Sequence, residues 1–177
     1  MTVEYGQRGP DILVAGKVKV DDALIEAIND AIEKEQLAQV FYTKASGLAF
    51  TKDVKQFFRE LKSDEVDHEK MLKAVLKDLR SGKLPMAKAK HIPSDSLKDS
   101  GLSRFLKKDI PKQTTDYQQA LIIAMKREEE AWRGYNKLVK MGPPDALKDL
   151  FLLLAQVEAG HLRRLESIYE RDILTGY

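Results

Sequence analysis

The chain has 177 residues, enough for one compact domain (1–177) with a sizeable core. Its 30 basic against 28 acidic residues leave a net charge of +2, and no aromatic-interleaved basic stripe appears, so no nucleic-acid partner is expected. Cysteine is absent, which excludes disulfides, a thiol nucleophile and thiolate-bound zinc or iron–sulfur clusters and suits a reducing, cytoplasmic location.

Residues 1–20 read as an irregular arm containing Gly6, Gly9, Pro10 and Gly16. Charges at Glu4, Arg8, Asp11 and Lys17 interrupt any apolar signal sequence, and no run is long enough to span a bilayer, so no membrane partner is expected. The first hairpin occupies 21–80. Its first helix runs from about Asp22 to Lys44, capped by Asp21 or Asp22, with Ala27, Ala31, Glu35, Ala38 and Tyr42 on one face. A short turn around Gly47 leads to a second helix, from a cap at Thr51 to Arg80, before Ser81-Gly82. Its inward stripe reads Val54, Phe57, Phe58, Leu61, Glu65, His68, Leu72, Val75.

Residues 81–114, with prolines at 85, 93 and 111, form a crossover. About thirty extended residues reach roughly 100 Å, whereas a helix of about 27 residues is only about 40 Å long. The crossover can therefore traverse the bundle and bring the third helix parallel to the second. The second hairpin occupies 115–173. Its first helix, about Thr115 to Met141, carries Ala120, Ala124, Glu128, Ala131 and Tyr135 and stops at Gly142-Pro143. The last helix begins at Pro144 or Asp145 and carries Leu147, Leu150, Phe151, Leu154, Glu158, His161, Leu165 and Ile168. Two antiparallel hairpins joined by one long crossover make an all-α, ferritin-like four-helix bundle.

The two hairpins repeat each other at an offset of 93 positions without a gap. Glu35 meets Glu128, Ala38 meets Ala131, Tyr42 meets Tyr135, Phe58 meets Phe151, Glu65 meets Glu158 and His68 meets His161. Even the expected caps coincide, Asp22 with Thr115, and the halves are expected to pack about a pseudo-two-fold axis.

The repeat carries chemistry. Glu65 and His68, like Glu158 and His161, are three residues apart and so share a helical face, where a carboxylate and an imidazole can grip one metal ion. A Glu three residues before a His usually decorates a wet surface. Here that choice would turn Phe58, Leu61 and Leu72 outward, at about 1.5–3 kcal/mol for each large side chain. Glu35 and Glu128 sit mid-stripe among alanines small enough to leave room for ions. Four ionised carboxylates with two neutral imidazoles carry a formal −4, which two divalent cations neutralise. Carboxylate and imidazole without thiolate suit iron or manganese, with zinc a further candidate. Glu33, Asp67, Glu69, Glu129 and Glu130 point away from this face, Glu129 nearest its boundary.

These residues resemble the rubrerythrin-like branch of the ferritin-like diiron-carboxylate proteins. The resemblance covers about residues 20–173 and rests on Glu35-x-x-Ala38-x-x-x-Tyr42, Glu65-x-x-His68, Glu128-x-x-Ala131-x-x-x-Tyr135 and Glu158-x-x-His161. It implies two bound iron ions. Glu65 and Glu158 would bridge or clamp the pair, Glu35 and Glu128 would be terminal ligands, and His68 and His161 would take one ion each. Tyr42 and Tyr135 read equally as residues near the metals with a catalytic role and as core tyrosines with a hydrogen bond. Two departures stand out. Rubrerythrins proper carry a four-cysteine rubredoxin module, absent here, so electrons must come from a separate donor protein or from substrate. They also place a glutamate three residues after a terminal one, where this chain has Ala38 and Ala131, which brings the ligand set closer to that of bacterioferritin.

The expected activity is that of an oxidoreductase reacting with hydrogen peroxide or dioxygen, peroxidase-like by resemblance. The alternatives are a ferroxidase or iron-handling protein, and a metal-stabilised binding module without redox turnover. A homodimer is expected. His91 in the crossover and the Lys107-Lys108 pair read as solvated, Trp132 as packing under the crossover or at a subunit interface, and Asp64 as a residue able to orient a ligand, although its repeat partner is Val157.

Overall fold

The computed structural model describes residues 21–83 and 116–175. The arm, His91, Lys107-Lys108, Thr115 and most of the crossover lie outside the described residues. Four long helices are present: α1 Asp22–Leu48, α2 Lys52–Arg80, α3 Tyr117–Lys140 and α4 Asp145–Tyr169, the last continued by a π-helical turn, Glu170–Leu174. The all-α ferritin-like bundle expected from the sequence is what the chain forms. Among the described residues, no helix is long and apolar enough to cross a membrane.

Local chemistry sets the helix ends. Asp21 caps α1, its carboxylate accepting from the Ala23 N–H at 3.0 Å, and Asp116 caps α3 by accepting from the Gln119 N–H at 2.7 Å. The caps therefore do not keep the 93-residue offset, since each helix uses whichever aspartate lies nearest its first free N–H groups. Thr51 occupies the N-cap position of α2 but makes no capping hydrogen bond there. After α2, Gly82 takes φ 71°, and the N–H groups of Gly82 and Lys83 donate to the carbonyls of Leu79 and Asp78 at 3.0 and 2.9 Å. After α3, Gly142 adopts φ 72°, and Pro143 has no N–H to close a second such bond. α1 runs four residues beyond the expected Lys44, through Gly47, because buried Ala45 and half-buried Leu48 still pack on the core.

The core is divided into two apolar clusters. One gathers the C-terminal half of α1, the N-terminal halves of α2 and α3, and the C-terminal half of α4, with Tyr42, Phe58, Leu61, Leu121 and Leu165 at its centre. The other gathers the opposite ends, with Ile28, Leu72, Leu147, Phe151 and Leu154. Thus α3 starts at the end of the bundle where α2 starts, the parallel relation that a long crossover requires. α2 and α4 bury the stripes the sequence indicates, apart from half-buried His161. On α1, Ala38 and Tyr42 are buried as the stripe indicates, but in the N-terminal half the buried positions are Leu24, Ile28 and Ile32, whereas Ala27 and Ala31 are half-buried and line the α1–α3 edge together with Ala131.

Phe58 and Phe151 are fully buried repeat partners, one in each cluster. Phe58→Ala and Phe151→Ala should each destabilise the protein by about 3–5 kcal/mol, read by denaturant unfolding. Losses differing by more than about 2 kcal/mol would show that the two ends do not bear equal packing loads.

Candidate metal centre

Between the two clusters the core turns polar. Glu35 from α1, Glu65 and His68 from α2, Glu128 from α3 and Glu158 from α4 are all at most 4% exposed, and His161 is half-buried. Helical spacing brings them together: Glu65 with His68 and Glu158 with His161 lie one turn apart, and α1 and α3 each add one carboxylate opposite. Asp67, Glu33 and Glu130 are exposed and Glu129 is half-buried, as their helical phase indicates. Glu69 also faces away, bonding Lys73, Gln36 and Gln39.

All six residues singled out in the sequence converge. They form two overlapping groups, Glu35, Glu65, His68 and Glu158, and Glu65, Glu128, Glu158 and His161, each with one donor atom per residue within 4.8 Å of the others. Glu65 and Glu158 belong to both groups. His68 Nδ1 stands 2.9 Å from Glu158, 3.2 Å from Glu65 and 3.9 Å from Glu35. His161 Nδ1 stands 3.1 Å from Glu128 and 3.4 Å from Glu158. The imidazoles lie face to face with centroids 6.5 Å apart.

The tyrosines cross between the halves. Tyr42 of α1 donates its hydroxyl hydrogen to Glu128 of α3, and Tyr135 of α3 donates to Glu35 of α1. Each thus fixes a buried carboxylate of the other hairpin. His161 has a further partner, Asp64, whose carboxylate lies 3.2 Å from Nε2. Val157 occupies the equivalent position in the second half, so the pseudo-symmetry breaks at this contact. Trp132 packs against the second cluster, outside the site.

Burial and crowding perturb every charge here. Burial, then Glu65 and Glu158, push Glu35 up to about 10. Burial and Glu158 push Glu128 up to about 8, and burial, then Glu158, also raises Glu65. Burial pushes Glu158 the same way, but the imidazoles of His161 and His68 outweigh it and hold this carboxyl below its usual range. Burial opposes charge on His161, yet Glu128 and Glu158 outweigh it and raise the imidazole to about 11. Both oxygens of Glu158 are buried without a well-formed hydrogen bond among the described residues. A fully buried carboxylate whose two oxygens each face an imidazole without a well-formed hydrogen bond is placed as a cation would require.

The family model for Rubrerythrin matches residues 26–169. The chain belongs to the rubrerythrin family. A rubrerythrin-family domain and a buried carboxylate–histidine cluster together fit a diiron-type protein, and the family implies iron binding. A solved structure of a hypothetical protein from Pyrococcus furiosus is similar at TM-score 0.62 and 22% identity, covering 91% of this chain and 98% of that one, a likeness of fold. No curated protein sequence matches.

Sequence reasoning found the six converging residues but could not pair each tyrosine with its carboxylate, or Asp64 with His161, because those contacts run between helices. It also gave no weight to Lys34 and Arg127, which line a cavity reaching Glu35, Glu65 and Glu128. Their signal was available: they precede Glu35 and Glu128 and are themselves partners at the 93-residue offset.

The raised groups give the metal-free protein a defined pH response. Carboxyls whose folded pKa lies above the unfolded value stabilise the fold below that value and lose this contribution as pH rises through the folded pKa. With Glu128 at about 8 and Glu35 at about 10, the metal-free protein should melt lower at pH 8.5 than at pH 6. Added manganese should raise the melting temperature more at pH 8.5, because fewer protons then compete for the carboxylates. Thermal melts at the two pH values, with and without manganese, check both signs.

Proposed function

We propose that this rubrerythrin-family protein binds two iron ions and reduces hydrogen peroxide to water with electrons from a separate donor protein. The observation that carries the reading is the membership of Glu65 and Glu158 in both four-residue groups. Two carboxylates shared by two imidazole-bearing positions suit a pair of ions better than a single one. On this reading Glu65 and Glu158 bridge the pair, Glu35 and Glu128 are terminal ligands, and His68 and His161 complete one position each. Carboxylate and imidazole donors favour iron over softer ions.

An iron pair supplies the two electrons that cleaving the O–O bond of peroxide needs, and two protons complete two molecules of water. The chain's residues do the rest. Tyr42 and Tyr135 hold Glu128 and Glu35 in one orientation by hydrogen bonding to one oxygen of each, and the other oxygen of each turns toward an imidazole, His161 for Glu128 and His68 for Glu35. Asp64 fixes the His161 ring through Nε2, so that Nδ1 faces the carboxylates. The apolar clusters on either side exclude water. The cavity at the site is about 40 Å³. One water needs about 10–15 Å³ of such space, so a peroxide-sized molecule fits. Without a cysteine the chain has no thiolate-bound electron carrier, and a donor protein is needed for turnover.

The deciding experiment loads the protein with iron(II) and follows peroxide consumption in the presence of a reductant. A rate above that of the same concentration of free iron is expected, and an equal rate would end the peroxidase reading. Glu65→Ala and His161→Ala should each lose stoichiometric binding of two ions, and retention of both in either variant would overturn the ligand assignment. Asp64→Ala should weaken only one of the two ions, by about 10–100-fold in a metal titration, because only His161 has a carboxylate behind it.

A further inference from the structure

The polar site is not sealed on all sides. Between α1 and α3 a cavity of about 40 Å³ is walled by Ala38 and Ala131, and its lining runs from exposed Lys34 and Glu130 to buried Glu35, Glu65 and Glu128. A neighbouring cavity of about 80 Å³, lined by Ala31, Gly134 and Tyr135 among others, also reaches Glu35 along the same seam. Small residues create this space, since an alanine at 38 or 131 leaves unfilled the volume a larger side chain would occupy.

The mouth of the first cavity carries Lys34 and Arg127 against a single acid, Glu130. Arg127 is held in place there. Its guanidinium lies 4.9 Å above the Phe41 ring, and its buried Nε has no hydrogen-bond partner among the described residues. A cation stacked on a ring, with an unused buried donor, at the mouth of a cavity whose inner carboxylates a bound metal would neutralise, is suited to receive an anion rather than another cation.

We propose that the seam between α1 and α3 is the port by which small anions of two or three heavy atoms reach the metal centre, with Arg127 as the residue that draws and positions them. The inference rests on the metal reading above. Ala38 and Ala131 keep the port open and set its size limit, while Lys34, the repeat partner of Arg127, adds a second positive charge at the mouth. The same charges disfavour passage of free metal cations, so the port serves the small ligand and not metal loading.

Azide is the probe, added to protein loaded with two iron(III) ions and followed by stopped-flow visible absorbance. The native chain should bind azide saturably. Ala131→Leu and Ala38→Leu should retain both ions yet take up azide about tenfold more slowly, because association must wait for the seam to open. Arg127→Gln, at a half-buried position where glutamine keeps a polar side chain, should fold normally, bind azide about tenfold more slowly at low ionic strength and lose most of the native salt dependence. Azide association at the native rate in the leucine variants, or native rate and salt dependence in Arg127→Gln, would overturn the port, as would a two-iron native protein that takes up no azide. A native protein that holds no iron would instead overturn the metal reading on which the port depends.

Discussion

Four carboxylates and two imidazoles share a small space inside a core otherwise built of alanine, leucine and aromatic side chains, and the rest of the bundle is arranged around that constraint. Moving a charge out of water is costly unless it is paired. Without a cation, the pairing available is between carboxylates and the two imidazoles, reinforced by tyrosine hydroxyls and by protons retained on Glu35 and Glu128. These devices leave Glu158 with both oxygens lacking a well-formed hydrogen bond. The site is therefore stabilised most by positive charge placed between Glu65 and Glu158, and the apolar clusters at either end make that demand strict by excluding water.

The same constraint explains why each tyrosine crosses to the other half. Tyr42 and Glu35 lie on one helix, two turns apart, and cannot meet, whereas Tyr42 and Glu128 face each other across the α1–α3 seam. The cross-pairing ties the hairpins together at the level of the site. α1 and α3 make the closest approach between the hairpins, and the small residues that allow it also leave cavities reaching Glu35 and Glu128. The seam thus couples the two halves through hydrogen bonds while leaving space beside the ligands.

Each hairpin contributes one glutamate and one Glu-x-x-His to the site, but the surroundings of the two halves differ. Asp64 backs His161, Val157 stands where a matching acid behind His68 would be, and His161 is the more exposed of the two imidazoles. Arg127 stacks on Phe41, whereas its partner Lys34 is exposed. Two positions made from the same repeat are therefore electrostatically different.

The sequence by itself determined the helices, the hairpin pairing and the six converging residues. A buried polar group in a 3.6-residue stripe must face its neighbours' polar groups, and a gapless repeat fixes which ones. It also determined the stops at Gly82 and Gly142, because few residues other than glycine accept a left-handed backbone there. It misplaced the end of α1, which core packing of Ala45 and Leu48 prolongs, and the cap of α3, where neighbouring candidates differ by only about 1 kcal/mol. Only the tertiary structure decided which tyrosine holds which glutamate, that Asp64 reaches His161, and that Lys34 and Arg127 flank an opening onto the carboxylates. These hydrogen bonds join residues 86 to 100 positions apart on different helices, and the rotation and offset of one helix against another are set by how whole side chains fill the space between them, which periodicity along one chain does not encode.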